Sequence, residues 1–225
     1  NPPTPGSNAT EEYDGSSWSN GGNLNTGRRA IEGNGTQTAA LAAGGHPART
    51  DTEEYDGSSW TAGGSMNTGR KEGATGGTQT AAFYSSGQIA PGATPTDTEE
   101  YDGSSWTSSG ALGTGRYGPG GTGTQTAGLA FGGAAFNVTS IYANTEEYDG
   151  SSWTAGGALG IARYGMGPAQ NGTQSAALSF GGAFATPSAA GRVSTEGYDG
   201  SSWTTLADLG TGTYRLAGAG TQAAG

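Results

Sequence analysis

The chain of 225 residues has no cysteine, one histidine and very few large aliphatic residues. Without cysteine there are no disulfides, no thiolate nucleophile and no Cys-based zinc site. With His46 alone in a loop after Gly44-Gly45, a Ser-His-Asp triad has little to build on. No run of 18 apolar residues is present, so no membrane-spanning helix is expected. Basic residues are also scarce, nine against 19 acidic, giving a net charge of −10. That balance argues against a nucleic-acid partner and against anionic membranes. Scarce Leu, Ile, Val and Phe with one-signed charge would by themselves read as disorder.

What is present overrules that reading. Tyr-Asp-Gly-Ser-Ser-Trp recurs at Tyr13–Trp18, Tyr55–Trp60, Tyr101–Trp106, Tyr148–Trp153 and Tyr198–Trp203, and accounts for all five tryptophans. The steps between tryptophans are 42, 46, 47 and 50 residues, a period of propeller blades or helical arrays. Glycine, 46 of 225 residues, interrupts every candidate helical stripe and leaves short strands. Trp and the Gly of the next Gly-Thr-Gln are 17 residues apart in four repeats and 19 in the fourth, while the spacings from that Gly to the glycine ending the following apolar run, and from Thr-Glu-Glu-Tyr to Trp, are fixed. The variable length falls between the apolar run and that Thr. A fixed frame with one elastic segment is a packed unit with a surface loop.

Each repeat is expected to hold four strands. The first is Gly- and Ala-rich after Arg28, Arg70, Arg116 or Arg163. The second is of the type Thr173–Gly182, the third is Thr-Glu-Glu-Tyr, and the fourth starts at Trp. Asn34-Gly35 and Asn171-Gly172 suit hairpin turns between strands one and two, and Asp-Gly-Ser-Ser suits the turn between three and four. The repeated Arg is expected to pair with a Glu of its own or a neighbouring unit. Tyr and Trp are expected to supply much of the area buried between units.

Gly132-Gly133, Tyr148, Trp153 and Arg163 stand in the order of the kelch repeat, and the pattern recurs over nearly the whole chain. The chain therefore resembles kelch-like propellers; the phrase Thr-Glu-Glu-Tyr-Asp-Gly-Ser-Ser-Trp also resembles repeats of environmental bacterial and phage surface proteins. The resemblance implies an all-β, five-bladed β-propeller with four-stranded antiparallel blades. It implies a single domain over residues 1–225, closed as a ring by N- and C-terminal strands sharing one blade. Kelch-type propellers include copper radical oxidases, whose site needs two His and a Cys-linked Tyr; this chain has neither, so neither that activity nor a metal or other cofactor is implied. Departures are Ser85-Ser86-Gly87 for a Gly-Gly pair, Thr213 with Arg215 displaced by two, and Glu196-Gly197 for Glu-Glu. The missing initiator Met and the shortened last repeat suggest a fragment, a processed product or a disordered tail.

Functionally, the sequence is read as a non-catalytic extracellular module of a surface appendage, filament or phage tail, located at a cell or virion surface. Its partners would be protein copies or surface glycans. Most acidic residues lie in the repeated phrases and are read as solvated strands and turn-forming Asp rather than cation sites or a glycosidase pair. The elastic loops are expected on one face, with Arg49, Phe136, Ile141, Tyr142 and Arg192 as contact residues. Asn8 and Asn137 are candidate glycosylation sites, and segments such as Thr94–Thr98 and Thr186–Ala190 could carry O-linked sugar. The alternative is a multivalent lectin with up to five equivalent sugar sites between blades.

Overall fold

A computed structural model of the chain describes residues 6–184 and 191–222. It is all-β, with 18 strands in five antiparallel sheets among those residues. The first sheet holds β1 (Glu11–Tyr13) and β2 (Trp18–Asn20). The second holds β3 (Glu32–Thr36), β4 (Ala39–Ala43), β5 (Thr52–Tyr55) and β6 (Trp60–Ala62). The third holds β7 (Ala74–Thr78), β8 (Ala81–Ser85), β9 (Thr98–Tyr101) and β10 (Trp106–Ser109). The fourth holds β11 (Gly120–Thr124), β12 (Ala127–Phe131), β13 (Thr145–Tyr148) and β14 (Trp153–Gly156). The fifth holds β15 (Gly167–Pro168), β16 (Ala177–Phe180), β17 (Thr195–Tyr198) and β18 (Trp203–Thr205). Strands follow one another in sequence across each four-stranded sheet.

The repeated phrase makes the outer hairpin of every sheet. In the third sheet, Asp102 Oδ1 accepts the backbone N–H groups of Ser104 and Ser105, both at 2.8 Å, and Gly103 takes φ of 91°. That turn sets Tyr101 opposite Trp106, ring centroids 5.0 Å apart. The other hairpin turns at Gln37-Thr38, Gln79-Thr80 and Gln125-Thr126. This corrects the expectation for Asn34-Gly35, which lies within β3; Gly35 takes φ of 105° there because a Cβ would sit 2.2 Å from the Ala39 carbonyl oxygen. The glutamine at the turn reaches back instead: Gln79 Nε2 donates to the Ala40 and Tyr55 carbonyls of the preceding sheet. β15 is short, and the repeat it opens has two more residues between Trp and Gly-Thr-Gln than the others.

Arg28, Arg70, Arg116 and Arg163 are buried, and each pairs with the first Glu of its own sheet: Glu53 at 3.2 Å, Glu99 at 2.8 Å, Glu146 and Glu196. Backbone carbonyls take up other donors, as Arg116 Nη1 does with Gly132 (3.1 Å) and Asn144 (2.9 Å). A guanidinium in that setting is neutralised and hydrogen-bonded, which is what its burial requires.

Sheets are joined by two side-chain links. The Tyr hydroxyl donates to the second Glu of the preceding sheet: Tyr55 to Glu12, Tyr101 to Glu54, Tyr148 to Glu100 and Tyr198 to Glu147. The Trp Nε1–H donates to a Thr of the preceding sheet: Trp60 to Thr10, Trp106 to Thr52 (2.9 Å), Trp153 to Thr98 and Trp203 to Thr145. Apolar packing follows the same direction, with Phe131 of β12 4.8 Å from the Trp203 ring. The innermost strands approach closely because they carry little side chain; a Cβ on Gly121 of β11 would lie 2.4 Å from the Thr75 amide nitrogen of β7.

Just before these inner strands, five aligned residues share one left-handed conformation: Ala30, Glu72, Gly118, Gly165 and Arg215, with φ of 54°, 52°, 59°, 59° and 58°. Four of them are chained around the axis by backbone bonds, from Gly118 N–H to Glu72 C=O, Gly165 N–H to Gly118 C=O, and Arg215 N–H to Gly165 C=O. The five repeats thus converge on one axis. The shared terminal blade is only partly realised: its sheet is β1 and β2 alone, and the C-terminal segment reaches the axis at Arg215–Gly218 without forming a strand among the described residues.

Candidate functional site

The convergence encloses an axial cavity of about 450 Å³, within the size range of small-molecule sites. All five repeats contribute, with Ile31 and Glu32, Glu72 and Thr75, Tyr117, Tyr164 and Gln170, and Arg215 in its wall. The chemistry is not five-fold. Where the third and fourth repeats place glycine on the inner rim, the second places Glu72 and the fifth Arg215. For a residue with a side chain this backbone costs about 1–2 kcal/mol, so two charged side chains are held at the rim against local preference.

These groups form a connected set. Arg215 Nη2 donates to the Tyr117 hydroxyl at 2.5 Å and lies 3.8 Å from Glu72 Oε1. Burial, then the charge and hydrogen bond of Glu72, push the Tyr117 hydroxyl up to about 12. Burial holds the Glu32 carboxyl well above the ordinary range, and the neighbouring Glu72 adds to the shift. Three buried polar atoms on the wall lack a hydrogen-bond partner among the described residues: Glu72 Oε2, Thr75 Oγ1 and Gln170 Oε1. Unpaired groups of this kind are costly, and here they share one cavity. Two carboxyl groups, a phenol and a guanidinium can together bind a hydroxyl-bearing ligand and hold or move a proton on it.

Sequence reasoning missed this set. Glu32 and Glu72 are acids outside the repeated phrases, and Glu72 and Arg215 occupy one aligned position two residues after the repeated Arg position. That breach of the repeat was the available signal.

The residues singled out earlier lie elsewhere. Arg49 pairs with Asp51 beside its own loop. Phe136 is 38% exposed and covers Gly92 of the neighbouring elastic loop. Ile141 is bridged to Ala134 and packs near Tyr164, while Tyr142 donates its N–H to the Gly133 carbonyl. Arg192 stacks over Phe184 at 3.5 Å. These five are therefore spread over several loops rather than gathered into one side-chain cluster. Asn8 and Asn137 are exposed; Thr186–Ala190 falls outside the described residues. His46 Nδ1 sits 3.4 Å from Lys71 Nζ, not in a triad. Between blades, where the lectin alternative places its sugar sites, the Trp and Tyr polar groups donate to the preceding sheet at four seams and so serve assembly there.

The fold defines the class: repeated four-stranded antiparallel sheets of a propeller-like protein. Among solved structures the chain is similar to one titled "Structure of YjhT", with a TM-score of 0.69 at 13% identity, covering 83% of this chain and 68% of that one. No family model and no curated protein sequence matches the chain. The expectation that the chain is not an enzyme is withdrawn, because a propeller fold shared with YjhT does not exclude a reaction. At this identity the likeness carries the fold and assigns no reaction.

Proposed function

We propose that the chain is a ligand-binding propeller whose axial cavity takes a hydroxyl-rich ligand of saccharide type, one per ring. The supporting observation is the meeting of three unpartnered polar atoms, Glu72 Oε2, Thr75 Oγ1 and Gln170 Oε1, with Tyr117 and Arg215 at one cavity. Sugar hydroxyls donate and accept, and so satisfy such a wall where an apolar ligand leaves it unpaired. Arg215 favours a ligand that also carries an anionic group. The blades are read as a kelch-like variant, and the setting as a cell or virion surface, where exposed Asn8 and Asn137 would be open to modification. The whole chain is taken as one propeller unit, and the elastic-loop face as its contact with protein neighbours.

Calorimetry against neutral and acidic mono- and disaccharides tests this. The expected result is a single site per chain, weakened at least about tenfold by Glu72→Gln or Arg215→Ala, the loss of one charge-assisted hydrogen bond. Several equivalent sites per chain, or binding indifferent to both changes, would overturn the axial assignment.

A further inference from the structure

The axial cavity is bounded by two rings of aligned residues. One is the left-handed set that includes Glu72 and Arg215. The other lies two residues before the glycine of each Gly-Thr-Gln: Gly33, Thr75, Gly121, Gln170 and Gly218. Gly33 and Gln170 also line the groove beyond, so this second ring is the floor of the cavity. Three of its five members are glycine, so only Thr75 and Gln170 place side chains there. After Gly218 the chain leaves the axis, and Gln222 lies against Gly197 of β17.

The two ends of the cavity differ in polarity. Arg215 marks the mouth: its side chain is 58% exposed, against 18% for Glu72, whose Oε1 lies 3.8 Å from the guanidinium. The remaining wall holds oxygen without a cation. Glu72 Oε2, Thr75 Oγ1 and Gln170 Oε1 are buried and have no partner among the described residues. Thr75 as a whole is only 2% exposed. Glu32 forms no ion pair among the described residues. The wall thus sets two carboxyl groups against one guanidinium. Burial, then the charge of Glu72, hold Glu32 above its ordinary range.

Two of the three unpartnered atoms, a carboxylate and an amide oxygen, can only accept a hydrogen bond, and the hydroxyl can accept one as well. What this part of the wall lacks is positive charge and donors for three oxygens. A ligand hydroxyl brings one donor. A primary ammonium brings three donors and a full charge, and hydrogen bonds to charged groups are the stronger ones.

We infer that the ligand of the axial cavity is an amino sugar with a free primary amine, its ammonium held between Glu72, Thr75 and Gln170 and its hydroxyls turned to Tyr117 and Arg215. This rests on the saccharide reading of the same cavity and names a substituent that reading leaves open. An N-acetylated sugar carries a neutral amide with a single N–H in that place. It meets one of the three oxygens and none of the excess negative charge.

The test is calorimetric titration of the whole chain with glucosamine, glucose, N-acetylglucosamine and ethanolamine in weakly acidic buffer, where the amines are protonated. Glucosamine should bind at least about tenfold more tightly than glucose or N-acetylglucosamine, the worth of one hydrogen bond to a charged group. Ethanolamine, an ammonium without the ring, should bind more weakly than glucosamine. Glu72→Gln should bring the preference for glucosamine over glucose close to one, and Thr75→Val should lower it severalfold. The Thr75 hydroxyl has no partner, so its removal should leave the chain folded. Glucose bound as tightly as glucosamine, or a preference unmoved by Glu72→Gln, would overturn the ammonium assignment and leave the saccharide reading in place. Ethanolamine bound as tightly as glucosamine would overturn the sugar ring in favour of a simple amine. Binding of none of the four would remove both readings.

Discussion

Glu72 pairs a strained backbone with a functional side chain. Glycine holds the same place in two other repeats, so Glu72→Gly should relieve the left-handed penalty and raise stability by about 1 kcal/mol. The same change should abolish saccharide binding at the axis. Calorimetric unfolding beside ligand titration checks both halves, and a destabilised Glu72→Gly protein would refute the strain argument. Glu32 gives a pH signature. Its carboxyl titrates higher folded than unfolded, so the folded chain binds more protons between the two values and stability falls as pH rises from about 4.3 through the folded pKa. Glu32→Gln should flatten that fall in denaturant titrations across this range. The turn aspartates have the opposite sign: hydrogen bonds from Ser105 and Ser104 hold Asp102 down to about 2. Their contribution is present above the unfolded value and is lost as pH falls through about 2.

At the scale of strands, two devices hold the sheets. One is the buried Arg–Glu pair within a sheet. Arg116→Met leaves Glu146 buried and unpaired and should cost about 3–5 kcal/mol, much of it recovered in the Arg116→Met/Glu146→Met double change; denaturant midpoints of the single and double variants decide this. The other is the close approach of β7 and β11. Gly121→Val places a branched side chain against Thr75 backbone and should destabilise by about 3 kcal/mol or prevent folding. Gly113, beside the Glu146 carboxylate but clear of backbone, should accept Ala far more easily.

For the whole molecule, the unequal exposure of the tryptophans should be visible spectroscopically. Trp18 should dominate the acrylamide-accessible fraction of tryptophan emission, and Trp18→Phe should remove most of it while leaving the unfolding midpoint nearly unchanged. Equal quenching of all five tryptophans would contradict the greater exposure of Trp18. The ring also explains why the axial set is asymmetric. A chain of near-identical units can place one Glu and one Arg at the same aligned position, and only convergence on an axis turns that into a single mixed-charge site.

The order of elements was readable from the letters because it is set by local chemistry: Asp-Gly-Ser-Ser folds its own turn, Tyr pairs with Trp across it, and fixed spacings demand equal units. The buried Arg–Glu pairing followed from charge and the cost of desolvation. That Tyr and Trp pack between units was readable, but their hydrogen-bond partners were not, since those depend on which faces meet when sheets stand around an axis. Hence Asn34-Gly35 reads as a turn although it lies within β3, Arg215 reads only as a departure from the repeat, and Glu32 and Glu72 carry no signal beyond lying outside the repeated phrases. Residues 40 to 180 positions apart share a cavity only because the chain closes on itself, and no local preference encodes that proximity.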